Sequence, residues 1–104
     1  MTKEFEIGIS LLKKVQRELE ELMQVQDRLK VRLVVNSIIN PITASAYQIR
    51  VGDGPRKEEL LKYLLELVKE MRDLSDIKAM QETIGKVLEI LKEFEEAPAE
   101  KKEG

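Results

Sequence analysis

Apolar residues recur every three or four positions from Phe5 to Leu33, in two rows that each keep a seven-residue spacing. One row is Phe5, Leu12, Leu19, Gln26 and Leu33. The other is Gly8, Val15, Leu22, Leu29 and Asn36. Between them, from Lys13 to Arg32, stand mainly Lys, Arg, Glu and Gln. A helix turns every 3.6 residues, so this spacing lays a narrow apolar stripe along one face and leaves the rest to water. The chain is thereby restricted to helical architectures in which something covers the stripe, either another part of the chain or a second copy.

Thr2 is placed to cap the first helix, with Glu4 and Glu6 where the helix dipole favours acid. Past residue 30 the stripe shifts to Val31, Val34, Val35 and Ile38, still at helical spacing. No breaker separates the two parts, so the pattern predicts one helix over residues 3–39, about 55 Å long at 1.5 Å per residue. Asn40-Pro41 is expected to stop it, because a residue before proline avoids the helical region. A short second helix from Ile42 to Val51, closed by Gly52, is one reading of the next segment. The other is a strand over Tyr47–Val51, where apolar and polar residues alternate. Residues 31–39 are rich in β-branched side chains, so an α+β chain with a β-hairpin over 31–51 is the alternative fold.

Gly52-Asp53-Gly54-Pro55 is a turn, and Pro55 suits the start of a third helix with Glu58 and Glu59 in its first turns. Leu60, Leu61, Leu64, Leu67, Val68 and Met71 form its apolar face. A break is expected near 74–75. A last helix then carries Ile77, Met80, Ile84, Val87, Leu88, Leu91 and Phe94. The expected architecture is all-α: a single helical domain over 1–95, in which a long N-terminal helix packs with a C-terminal helical hairpin, followed by a disordered acidic and basic tail over 96–104.

The chain contains no His, no Cys and no Trp, yet 37% of its residues are charged. Missing His and Cys exclude the usual nucleophile–base pairs and zinc sites, and no cofactor is expected. The lack of Cys fits a reducing compartment, and Met1-Thr2-Lys3-Glu4-Phe5-Glu6 lacks the basic-then-apolar start of a secretory signal, so a cytoplasmic protein is expected. No stretch approaches the roughly 18 apolar residues of a membrane span, so no membrane partner is expected. A net charge of −2 gives no whole-chain reason to bind duplex nucleic acid. Abundant Glu and Lys with only two Asn match the compositional direction of hyperthermophile proteins or their viruses. Computational design of a helical scaffold produces the same profile.

Carboxylates are the remaining means of catalysis. Glu70-Met71-Arg72-Asp73 resembles the Glu-x-x-Asp stretch of all-helical nucleotide pyrophosphohydrolases of the MazG type, which implies Mg²⁺ bound beside a phosphate. Their preceding Glu-Glu-x-x-Glu stretch is incomplete here, because Gln24 stands three residues after Glu21. Val51-Gly52-Asp53-Gly54-Pro55, continued by Arg56-Lys57-Glu58-Glu59-Leu60, is similar to a strand–turn–helix piece of GT-B glycosyltransferases, a match of about ten residues that supports only a turn into a helix.

These readings lead to a non-enzymatic interaction or assembly protein acting as a homo-oligomer, expected to be a coiled-coil dimer. Its seam would be Leu12, Val15, Leu19, Leu22, Gln26, Leu29 and Leu33. Binding of a further, unknown protein partner would fall to the least regular segment, through Asn36, Asn40, Tyr47, Arg50 and Asp53. The alternatives are a small nucleic-acid-binding regulator using Arg28, Arg32, Arg50 and Arg56, and a Mg²⁺-dependent nucleotide phosphohydrolase using Glu70 and Asp73.

Overall fold

Thr2 begins the fold as the sequence predicts: its hydroxyl accepts the Phe5 N–H at 3.2 Å and opens helix α1, Lys3–Lys14. In the computed structural model, which describes the backbone of residues 1–103 and the side chains of residues 1–94, four more helices come after it. They are α2, Gln16–Leu22; α3, Arg28–Val51; α4, Lys57–Asp73; and α5, Ile77–Glu103. The fold is all-α, with no strand among the described residues. The β-hairpin alternative over 31–51 is therefore overturned. The tail expected over 96–104 lies outside the described side chains. No helix among the described residues is long and apolar enough to cross a membrane.

The single rod over 3–39 is replaced by three pieces. Val15 leaves helical geometry at φ −105°, ψ 12° and bends α1 into α2. The chain then reverses between Leu22 and Arg28. Gln81, far away on α5, donates its amide to the Leu22 and Val25 carbonyls at 2.8 and 3.1 Å, which satisfies the end of α2. Asp27 restarts the helix by accepting the Lys30 N–H at 3.0 Å. Reversal lets α3 run antiparallel along α1 and α2, so that Phe5, Leu12, Leu19 and Leu22 share one core with Val31, Val35, Ile38, Ile42 and Ile49. A rod would have left that stripe uncovered until a second chain arrived, and association costs translational and rotational freedom that folding back does not.

Helix α3 also continues through Pro41, which was expected to end it. Proline inside a helix costs about 3 kcal/mol relative to alanine. The buried face, Val31, Val35 and Ile38 before Pro41 and Ile42, Ala46 and Ile49 after it, keeps one register across the site. Each large side chain of that set contributes about 1.5–3 kcal/mol when fully buried, so the set outweighs the proline. Gly52 closes α3, as predicted, donating its N–H to the Gln48 carbonyl at 3.0 Å. Beside it, Asp53 exchanges hydrogen bonds with Thr2, tying the end of α3 to the start of α1.

Helix α4 starts two residues later than Pro55 suggested, after Arg56 in the left-handed region. The predicted break falls at Leu74, also left-handed, and Asp76 caps α5 by accepting the Ala79 N–H at 3.0 Å. Contacts run in a ring, from the bent α1–α2 unit to α3, α4, α5 and back. The result is a four-cornered antiparallel bundle. Phe5 and Phe94 close one end, with ring centroids 5.9 Å apart.

Candidate functional site

A corner helix in a bundle buries one face and shows another. On α3 the buried face is Val31, Val35, Ile38, Ile42, Ser45, Ala46 and Ile49. The opposite face reads Leu29, Leu33, Asn36, Asn40, Ala44, Tyr47 and Val51, all exposed. Leu29, Leu33, Tyr47 and Val51 are 66%, 62%, 61% and 49% exposed, and they are four of the seven large apolar side chains left in water among the described residues. Single exposed apolar residues are ordinary on a protein surface; four on the same face of one helix make this face the first candidate site.

Polar and charged residues frame the row. Helix α3 contains Arg28, Lys30, Arg32 and Arg50 and no acidic residue. Arg28 is partly engaged, its guanidinium donating to the Leu74 carbonyl at 2.8 Å. Arg32 and Arg50 are exposed. Near the start of α3 the face borders a shallow depression lined by Arg28, Leu29, Val31, Arg32, Leu74 and Ile77. Arg56 is set apart, paired with Glu59 at 2.7 Å and with Glu93.

The residues expected to bind a partner divide accordingly. Asn36, Asn40, Tyr47 and Arg50 come together on the α3 face. Asp53 lies off it, in the turn beyond Gly52, where its backbone holds Thr2. The expected oligomer seam is dismantled. Leu12, Val15, Leu19 and Leu22 sit in the chain's own core and offer nothing to a second copy. Gln26 is in the exposed reversal between α2 and α3, and only Leu29 and Leu33 remain on a shared open face. Sequence reasoning missed Val51 and Ala44. Their signal was the 29-33-36-40-44-47-51 spacing, legible only once the helix is allowed through Pro41.

A scan against family models, a search of curated proteins and a search of solved structures found no match to this chain. Chemistry and geometry alone therefore carry the functional reading.

The second candidate is a depression between α4 and the start of α5, lined by Leu65, Glu66, Lys69, Glu70, Asp73, Ser75 and Asp76. It contains both acids implicated by the Glu-x-x-Asp resemblance. Among the described residues, however, no three acids are grouped so as to hold a metal ion. Glu70 is the unusual member. Its Oε1 is buried without a hydrogen-bond partner. Burial raises the Glu70 pKa from its ordinary value, with the neighbouring Thr83 hydroxyl opposing the rise and the negative charges of Glu66, Asp76 and Glu82 adding to it. A carboxyl whose pKa is raised by folding favours the native state while protonated. That contribution is complete below the ordinary carboxylate range and is lost as pH climbs through the raised value. Glu70→Gln removes the charge and nearly keeps the shape, so the variant is expected to be the more stable protein at pH 7. At pH 4 the gain should shrink. Urea titrations of both proteins at the two pH values check this; an equal or larger gain at pH 4 contradicts it.

Proposed function

We propose that this chain is a non-enzymatic interaction protein, working in the cytoplasm, whose functional surface is the solvent face of α3. The observation that carries the reading is the concentration of exposed apolar side chains on that face. Leu29, Leu33, Tyr47 and Val51 are joined there by Asn36 and Asn40, the two asparagines of the whole chain. Two local rules are also broken at this point. A proline stands inside the helix, and helix-poor asparagines stand on its open surface. Departures from local preference concentrate at functional sites. Compositional economy in Asn elsewhere, with abundant Glu and Lys, supports a thermostable protein.

The test is the size of the native assembly. A tagged chain in a lysate of its own cells should elute well above 12 kDa. Leu33→Glu with Tyr47→Glu should elute as the monomer, with a melting temperature within a few degrees of the parent, since both side chains lie in water. A parent that elutes as a monomer, or a double variant that keeps the larger size, removes the reading.

One observation favours a second reading, a nucleic-acid-binding regulator: α3 presents cations and no acid. Phosphate contacts weaken steeply with salt. Duplex or single-stranded probes should then be retained at low salt and lost on replacing Arg32 and Arg50 with Gln. Retention that ignores those substitutions removes this reading.

A further inference from the structure

We propose that the solvent face of α3 binds the same face of a second copy, antiparallel, with Asn40 of each chain opposed across a two-fold axis. The inference rests on the reading of this face as the working surface, and names its partner.

The face reads nearly the same from both ends. About Asn40, Leu29 is balanced by Val51, Leu33 by Tyr47 and Asn36 by Ala44. All seven positions lie within about 40° of one line along the helix, and the line is about 33 Å long. Antiparallel copies therefore bring Leu29 to Val51 of the partner subunit and Leu33 to Tyr47 of the partner subunit, apolar on apolar at both ends. The two Asn40 side chains meet at the centre. An asparagine amide both donates and accepts, so two can satisfy each other, and a polar pair at one seam position fixes register. Pro41 leaves a fixed acceptor nearby, because it has no N–H to give to the Ser37 carbonyl.

Charge selects the antiparallel direction. Arg28, Lys30 and Arg32 crowd the first two turns, and parallel copies would stack all three on their counterparts. Reversal instead sets Lys30 near Gln48 of the partner subunit and leaves one repulsion, Arg32 against Arg50 of the partner subunit, which is repeated by symmetry. It also opposes the helix dipoles. Phosphate is a poorer occupant, since it gives Leu29, Leu33 and Val51 nothing to cover them. Two helices touching along this length bury on the order of 1,000 Å², the lower bound for a specific interface. The pair should accordingly be reversible, with Kd between roughly 1 µM and 1 mM.

A chain without cysteine allows a clean test. Purified protein in sedimentation equilibrium should show monomer and dimer, and Leu33→Glu should weaken the dimer at least tenfold without lowering the melting temperature by more than a few degrees. Added salt should tighten it, because the one charge contact is repulsive. Asn40→Cys places its two thiols together and should air-oxidise to a covalent dimer at least tenfold faster than Leu29→Cys, whose thiols stand about 33 Å apart along the pair. A parent that stays monomeric to 1 mM overturns the second-copy assignment. Partner-dependent elution in the lysate would survive that result, so the two failures are distinguishable. Faster oxidation of Leu29→Cys overturns the antiparallel register. Retention of random-sequence duplex DNA that is abolished by Arg32→Gln and Arg50→Gln assigns the face to phosphate and overturns the proposal.

Discussion

Gly8→Leu is expected to destabilise the protein by at least about 3 kcal/mol, read as a lower urea midpoint at unchanged slope. A Cβ built at Gly8 falls 2.7 Å from Ile49 Cδ1, 2.9 Å from Ile49 Cγ1 and 3.2 Å from the Ser45 carbonyl oxygen. Ile49 is fully buried and cannot swing into water, and the Ser45 oxygen belongs to the α3 backbone. A whole leucine therefore forces α1 and α3 apart. Separation also breaks the buried hydrogen bond from Ser45 Oγ to the Gly8 carbonyl, 2.8 Å long, leaving the Ser45 hydroxyl unpaired at a cost of about 1–3 kcal/mol. Helix propensity returns only about 1 kcal/mol for replacing glycine. Gly8→Ala should be milder for that reason, and part of its cost should vanish in combination with Ile49→Val, which removes the nearest carbon. The direction of the leucine effect is decisive. Gly8 occupies a seam position in the heptad rows, so in an intermolecular rod a leucine there would fill a gap and stabilise. A Gly8→Leu protein as stable as its parent would mean that α1 and α3 do not pack as described.

That contrast shows how far the residues can be read in order. Helix as the element type is legible over residues 3–30 and 57–94, where the apolar positions keep a 3.6-residue period, but not over 31–51, where β-branched residues and the alternation at 47–51 leave a strand equally open. Ends with local chemistry are legible too: Thr2 with its acidic first turn, Gly52, and the break beside Leu74. The reversal at 23–27 is not legible. Neither Gly nor Pro stands there, and half of what holds it is Gln81, which reaches across from another helix to the Leu22 and Val25 carbonyls. A contact at that sequence distance leaves no local trace. Asp27 does leave one, as a favoured capping residue, but the uninterrupted stripe masks it. The stripe misleads about its partner for the same reason, since it specifies that it must be covered and not by which chain.

The candidate face is legible only in pieces. Asn36, Asn40, Tyr47 and Arg50 stand out in the sequence because their segment looks irregular, whereas all four stand on a regular helix. Leu29 and Leu33 share a seam with Leu12 and Leu22 in the heptad pattern, although the reversal sends the first pair to the surface and the second to the core. The first misreading turns on whether the helix continues past residue 40, the second on whether it is continuous before residue 28.

Pro41→Ala addresses the first question directly, and it is expected to stabilise the protein by about 2 kcal/mol. Alanine supplies the N–H that the Ser37 carbonyl lacks and removes the ring that crowds the preceding turn, worth about 3 kcal/mol inside a helix. The unfolded chain gains freedom when proline is lost, which returns about 0.4–1 kcal/mol of that. For a domain of this size the net gain should raise the melting temperature by roughly 8–16 °C. If Asn40 and Pro41 instead began a new helix, as their order in the sequence suggests, proline would occupy its preferred first position, and alanine would give no gain or a loss. A lower melting temperature for Pro41→Ala would therefore reject the continuous α3. The same variant bears on the surface. A proline kept in the middle of a helix at a cost in stability is explained if the Ser37 carbonyl it leaves without an N–H serves the row from Leu29 to Val51 in holding its partner. Pro41→Ala should then be the more stable protein and the weaker dimer, a separation of the two properties that substitution of a merely tolerated proline would not produce.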